Sequence, residues 1–329
     1  MYENIGVGII GAGRWGMNHV RTSFQLLGEN LKFVCDFNKN ASENVKGISA
    51  EIPFTTTIEE VLENPGINAV IIATPAETHY DVTKKALLEG KNVLVEKPIT
   101  LISSHAKELV QIAAKEDKKL MVGHVLLYHP AVKKIKQMIG DDKIGKLQYI
   151  YSNRLNLGSI RSEENILWSF APHDISVIQY LLESNPVFVD AKGAAILQNE
   201  IEDTTITYLS YPGNIFAHIF VSWLHPFKEQ RLVIIGDKGM FVFEDSLKAE
   251  KLKFYPKGFK SVNGSLQKFE GDYKVIDFDN FQPLAEEQKH FFNSILNDER
   301  PLTDGIHAVE VLEILEKAQK CLTAGRSAL

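Results

Sequence analysis

The chain has 329 residues, more than one hydrophobic core usually serves, so two domains are expected. Its composition is that of a soluble globular protein, and a formal net charge of −6 with scattered Lys and Arg excludes the basic face that nucleic acid or an anionic membrane would need. Cys35 and Cys321 are too few for a disulfide framework or a zinc site; they fit a reducing, cytoplasmic setting with a small molecule as partner.

The apolar run "IGVGIIGAG" near the N-terminus is broken by glycine and far short of a membrane span, so no targeting or spanning segment is expected. Short β-branched runs at Gly6 to Ile10, Leu31 to Cys35, Ala69 to Ala73, Val93 to Val95 and Leu120 to Val122 predict buried parallel strands. Helical patterns separate them, among them Thr78 to Glu89, closed by Gly90, and Ser103 to Glu116. Alternating βα units with right-handed crossovers make a doubly wound Rossmann sheet, here expected over residues 1–123. Beyond it the rhythm changes. A helix opened by Pro172 is followed by "TTITYLSY", "NIFAHIFVSWL", "RLVIIG" and "GMFVFED", which predict a large open antiparallel sheet within an α+β domain over residues 124–329. From Leu284 the pattern is helical again, and these C-terminal helices are free to pack back on the first domain.

Three groups of residues can carry chemistry. Gly11-Ala12-Gly13-Arg14-Trp15-Gly16 follows the first strand and opens a helix. Glycines there permit a tight turn, close approach of backbone to a pyrophosphate and close helix packing, while the helix start offers N–H groups to phosphates. Asp36 ends the second strand about 20 residues later, where a carboxylate binds ribose hydroxyls and disfavours a 2′-phosphate, so NAD is expected rather than NADP. The second group is Glu96, Lys97 and Pro98 at a strand end, where ligands sit in open α/β sheets. Lys97 there either stabilises a developing alkoxide or is a solvated loop lysine. The third is His173 beside Asp174. Pro172 and Asp174 suit a helix start for structural reasons, and the same dipole would keep the His173 imidazole neutral and able to act as a base. His124 and His129 have no third ligand at sensible spacing, and no metal is expected.

Together, "GIIGAGRWGMNHV", "CDFN", "ATPAETH" (Ala73 to His79), "VEKP" (Val95 to Pro98), "VGHVLLYHPAVKKIK" and the His173 helix resemble the glucose-fructose oxidoreductase, inositol dehydrogenase and MocA family over essentially the whole chain. The resemblance implies an N-terminal NAD(P) domain, with Thr74, Pro75, His79, Glu96 and Lys97 joining the glycine turn at the cofactor. It implies an open sheet whose face makes homodimers or homotetramers. It also implies that Lys97 and His173 line the site beside the nicotinamide.

One position departs from the family pattern. An aspartate often stands four residues before the catalytic histidine, but here that residue is Ser169, which leaves Asp174 as the candidate to orient the imidazole and Tyr128 as the nearest alternative base. Within the family the segment from Asn153 to Ile178 resembles the nucleotide-sugar branch, which implies oxidation of the 3-hydroxyl of UDP-N-acetylglucosamine or its uronate. Asn153, Arg154 and Asn156 could reach sugar hydroxyls, Arg161 a diphosphate and Trp168 a sugar face; equally, these residues could cap the sheet edge. Other readings are an inositol or hexose dehydrogenase, a keto-sugar reductase, and a non-catalytic NAD(P)-binding sensor.

Overall fold

In the computed structural model, which describes residues 2–158 and 160–326, the chain divides into two units: Met1–Tyr128 with Phe281–Leu312, and His129–Asn280 with Glu313–Leu329. The first is built on six parallel strands, β1 (Val7–Ile10), β2 (Leu31–Cys35), β3 (Phe54–Thr55), β4 (Ala69–Ile72), β5 (Asn92–Val95) and β6 (Leu120–Val122), in the order β3-β2-β1-β4-β5-β6. Every residue of β1 and β4 is buried, as a sheet covered on both faces demands. Helices α1 (Gly16–Leu27), α2 (Ala41–Lys46), α3 (Ile58–Leu62), α4 (His79–Leu88) and α5 (Ser103–Lys115) make the crossovers. The strand order reverses between β1 and β4, and a crevice outside their carboxyl ends is where such sheets bind ligands. Strand β3 escapes the sequence pattern because two residues carry no periodicity.

The second unit starts with α6 (Pro130–Gly140), β7 (Leu147–Leu157) and α7 (Ile166–Leu182). Strands β8 (Phe188–Ala194), β9 (Thr204–Tyr211), β10 (Ile215–Ser222), β11 (Leu224–Gly236), β12 (Met240–Glu244) and β13 (Leu252–Tyr255) follow; β14 (Gly258–Val262) and β15 (Ser265–Phe269) form a separate hairpin, and β16 (Lys274–Val275) rejoins the sheet. The eight-stranded order is β16-β13-β12-β11-β7-β10-β9-β8. The sheet is mixed rather than wholly antiparallel: β7 and β10 run parallel at its centre, because the chain leaves β7 through α7 and the β8–β9 pair before returning beside it. β7 itself was not anticipated, since Ser152, Asn153, Arg154 and Asn156 interrupt its apolar alternation.

Side chains alternate across this sheet. Ile150, Leu232, Ile234 and Phe241 are buried, and α7 packs on β7, β9 and β10. The opposite face carries a row across five strands, Tyr208, His218, Tyr151, Val233 and Val242, in which the His218 and Tyr151 rings stack at 5.2 Å. Tyr208 and Phe216 on that face remain 47% and 49% exposed.

Helix α7 corrects one expectation. It begins at Ile166, capped by Asn165, whose side chain accepts from the Trp168 N–H at 3.3 Å, so Pro172 lies inside the helix. His173 therefore stands in the third turn. The helix dipole fades within the first turn and cannot tune it.

Two helices close the chain, α8 (Pro283–Leu296) and α9 (Gly305–Arg326). α8 packs on α1 and on the single turn Val125–Tyr128. It buries Glu287 completely, and neither carboxyl oxygen has a hydrogen-bond partner. Burial, and then the charge of Glu96, hold this carboxyl well above the usual range, so it is folded as a neutral acid. Because the folded value is raised, its stabilising contribution is complete below the unfolded value and is lost as pH climbs towards the folded one. Glu287→Gln should therefore raise Tm, by about 2 °C or more at about pH 8 and by less at about pH 5. Thermal melts of both proteins at the two pH values measure this; a gain that shrinks as pH rises would mean that the acid is ionised in the fold.

Candidate active site

The glycine turn after β1 is shaped by close approach. Gly11 has φ +98°, and a Cβ there would lie 2.6 Å from the carbonyl carbon of Ala73; one on Gly16 would lie 2.1 Å from the Gly11 oxygen. Gly11 thus seats the turn on the end of β4, and Gly16 seats α1 on the turn. Gly13 differs: nothing lies within 4 Å of its Cβ position, so its face is open. Gly13, Arg14 and Trp15 form the exposed crest. α1 has no side-chain cap and no acidic residue in its first turn; its Met17 and Asn18 N–H groups bond to the Gly13 and Trp15 carbonyls at 2.9 and 2.8 Å, and the positive end of its dipole favours an anion at the turn. At the end of β2, Asp36 accepts from the Ala12 N–H at 2.7 Å and the Asn38 N–H at 2.8 Å, which ties the β2 terminus to the turn. The cradle suits a dinucleotide: an open glycine face and a carboxylate stand at the ends of the adjacent strands β1 and β2.

Beside it, Glu96 accepts from the Trp15 indole N–H at 2.5 Å and lies 2.7 Å from His19 Nε2, while its other oxygen accepts from the Lys97 N–H at 3.2 Å. Burial would push this carboxyl up, but the hydrogen bond from His19, the indole N–H and the Lys97 ammonium together hold it below the usual range. His79 is 1% exposed, with ring nitrogens 2.8 Å from the Pro98 carbonyl and 2.9 Å from that of Thr74. His79 thus links the loops that follow β4 and β5. Thr74 and Pro75 belong to the same knot: the Thr78 hydroxyl lies 2.7 Å from that of Thr74 and 2.8 Å from the Pro75 carbonyl.

At the end of β6, His124 meets His307 edge to face at 5.2 Å. Burial, before any neighbouring charge, holds both below the usual imidazole range, His307 at about 4. His129 Nδ1 accepts from the Ala131 N–H and caps α6. Among the described residues no three His, Cys, Asp or Glu side chains gather as a metal site. Tyr128, the alternative base, is buried with its hydroxyl 3.1 Å from that of Thr303.

In the second unit, Asp174 is 3% exposed and belongs to an ion pair: Arg154 donates to it from Nε at 2.9 Å and from Nη2 at 3.0 Å, and the Ser152 hydroxyl donates at 2.6 Å. Its carboxylate thus anchors α7 to β7, with both oxygens engaged by Arg154 and Ser152, and on the helix its side chain points about 100° away from that of His173. Arg154 is held the same way. Asn153, next along the strand, points to the other face and donates to Glu229 at 2.8 Å, so Asn153 and Arg154 cannot reach one sugar together. Trp168 donates its indole N–H to Gln319 at 3.0 Å. Arg161 is half exposed and pairs with Glu164. Asn156 Oδ1 is buried without a hydrogen-bond partner, and His173, half-buried, accepts at its carbonyl from the Ser176 hydroxyl at 2.9 Å. Ser152, Glu229 and the His19–Glu96 pair were missed from sequence, because no spacing rule links residues so far apart.

Comparison with known proteins gives consistent matches. Residues 5–124 match an oxidoreductase family with an NAD-binding Rossmann fold, and residues 132–242 match the GFO/IDH/MocA C-terminal domain. The chain is 26% identical to a scyllo-inositol 2-dehydrogenase (NAD(+)) from Bacillus subtilis over 95% of its length and 93% of that protein's. It is 26% identical to a UDP-N-acetylglucosamine 3-dehydrogenase from Acidithiobacillus ferrooxidans, covering 93% of each chain. A crystal structure of the latter superposes with a TM-score of 0.83 at 23% identity, covering 97% of this chain and 98% of that one, a likeness of fold. The chain belongs to the GFO/IDH/MocA family of oxidoreductases and is a dehydrogenase of CH–OH groups.

Proposed function

We propose that this chain is a cytoplasmic, NAD-dependent dehydrogenase that oxidises the 3-hydroxyl of a UDP-N-acetylhexosamine or its uronate to a 3-keto nucleotide sugar. The observation that carries this is the similarity to a UDP-N-acetylglucosamine 3-dehydrogenase along 93% of both chains. The free thiols Cys35 and Cys321 support the reducing compartment. A cyclitol or hexose dehydrogenase is the second reading, because the inositol enzyme matches at the same 26% identity. Assay of a panel of nucleotide sugars, inositols and free hexoses with NAD separates them: the proposal stands if a UDP-N-acetylhexosamine or its uronate is turned over best.

In this reading Gly11 to Gly16 and the start of α1 hold the pyrophosphate. The nicotinamide ring, when bound, supplies the hydride acceptor. His173 takes the hydroxyl proton as the carbon hydride leaves, since an imidazole serves as a base near neutral pH without help from a helix end. Lys97 stabilises the oxygen as negative charge develops on it. Asp174 and Arg154 keep α7 seated.

His173→Ala and Lys97→Met, each folded by circular dichroism, should lower kcat by about two to four orders of magnitude while NAD binds nearly as before; near wild-type turnover by His173→Ala would make the histidine structural. For the cofactor, Asp36 should accept from the adenosine ribose hydroxyls and repel a 2′-phosphate. Fluorescence titration should give tighter NAD than NADP binding, with Asp36→Ala narrowing the gap; a wild type that prefers NADP overturns this. Last, the aromatic face with Tyr208 and Phe216 supports homodimers or homotetramers. Light scattering should show an assembly that Phe216→Asp weakens, and a wild-type monomer across the micromolar range would refute it.

A further inference from the structure

Helix α8 buries two successive polar side chains, Glu287 and Gln288, both 0% exposed. Burial of an amide is costly unless its bonds are made, so the Gln288 partners are informative. Its Nε2 lies 3.1 Å from His19 Nδ1 and donates to the His19 carbonyl at 3.3 Å; its Oε1 accepts from the Ser23 hydroxyl at 2.9 Å. The contact with a carbonyl fixes which end of the amide faces His19. An NH₂ group only donates, so His19 Nδ1 must accept, and the ring proton sits on Nε2. From there it is given to Glu96 Oε1 at 2.7 Å, the same oxygen that receives the Trp15 indole N–H. One orientation satisfies every member of the string from Ser23 through Gln288, His19 and Glu96 to Trp15.

We propose that Gln288 and His19 are positioning residues for dinucleotide binding: acting through Glu96, they hold the Trp15 indole in place on the crest of the glycine turn before the cofactor arrives. The inference rests on the dinucleotide reading of that turn. Trp15 is 44% exposed, so without the string its ring is free to change rotamer, and ordering it would weaken binding. Trp15 also lies next to Gly16, whose fit against the Gly11 carbonyl leaves the turn no slack. No pattern of spacing marks Gln288, which lies 269 residues from His19.

A double-mutant cycle read by calorimetric NAD titration tests this. Gln288→Met and, more mildly, Ser23→Ala should raise the Kd for NAD, the former by about 3–10-fold, with the loss falling on the cofactor KM more than on kcat. On a Trp15→Phe background, which lacks the indole N–H, the same substitutions should add less than about 2-fold. If Gln288→Met does not fold, Ser23→Ala, which removes one hydroxyl, carries the cycle alone. Equal factors on both backgrounds, or an unchanged Kd in folded variants, would overturn the proposal. Failure of the wild type to bind either dinucleotide would instead overturn the reading on which it rests.

Discussion

Everything at the strand ends of the first unit depends on how closely two stretches of backbone can approach. Gly11 leaves no room for a Cβ against Ala73, nor Gly16 against the Gly11 carbonyl. That contact fixes the turn relative to β4, and β4 is in register with β1 on one side and β5 on the other. His79 and Asp36 then reinforce the same geometry by bonding main-chain groups of neighbouring loops. A site that must meet a flexible dinucleotide is thus built from main chain, which has less freedom to lose than long side chains.

The second unit solves a different problem with a buried charge. The Arg154–Asp174 pair, with Ser152 satisfying a further lone pair, fastens α7 to the central strand. Removing one partner from such a pair costs about 3–5 kcal/mol because the other is left buried and uncompensated. The pair gives α7, and with it His173, a defined rotation on the sheet. A hydrophobic contact there would tolerate sliding more readily.

Sequence made the first unit legible because its signals are local. A glycine turn directly after β1, Asp36 at the end of β2 and short continuous apolar runs all read within short windows. The second unit was harder. Strand β7 hides behind four polar residues, and its parallel partner β10 lies more than sixty residues on. Pro172 suggested a helix start where Asn165 in fact caps one, because proline inside a helix is tolerated when packing outweighs its missing bond. Asp174 looked available to the His173 imidazole and Arg154 to a substrate, because no pattern shows that they bond to each other. Gln288 and Glu287 were invisible for the same reason.

The chemistry is tested most directly by following the hydrogen itself. With UDP-N-acetylglucosamine or its uronate carrying deuterium at C3, and NAD as acceptor, the account predicts deuterium at C4 of the nicotinamide by NMR and a 3-keto sugar as co-product. Deuterium retained in the sugar while reduced cofactor accumulates would contradict it, as would transfer from a labelled inositol but from neither nucleotide sugar.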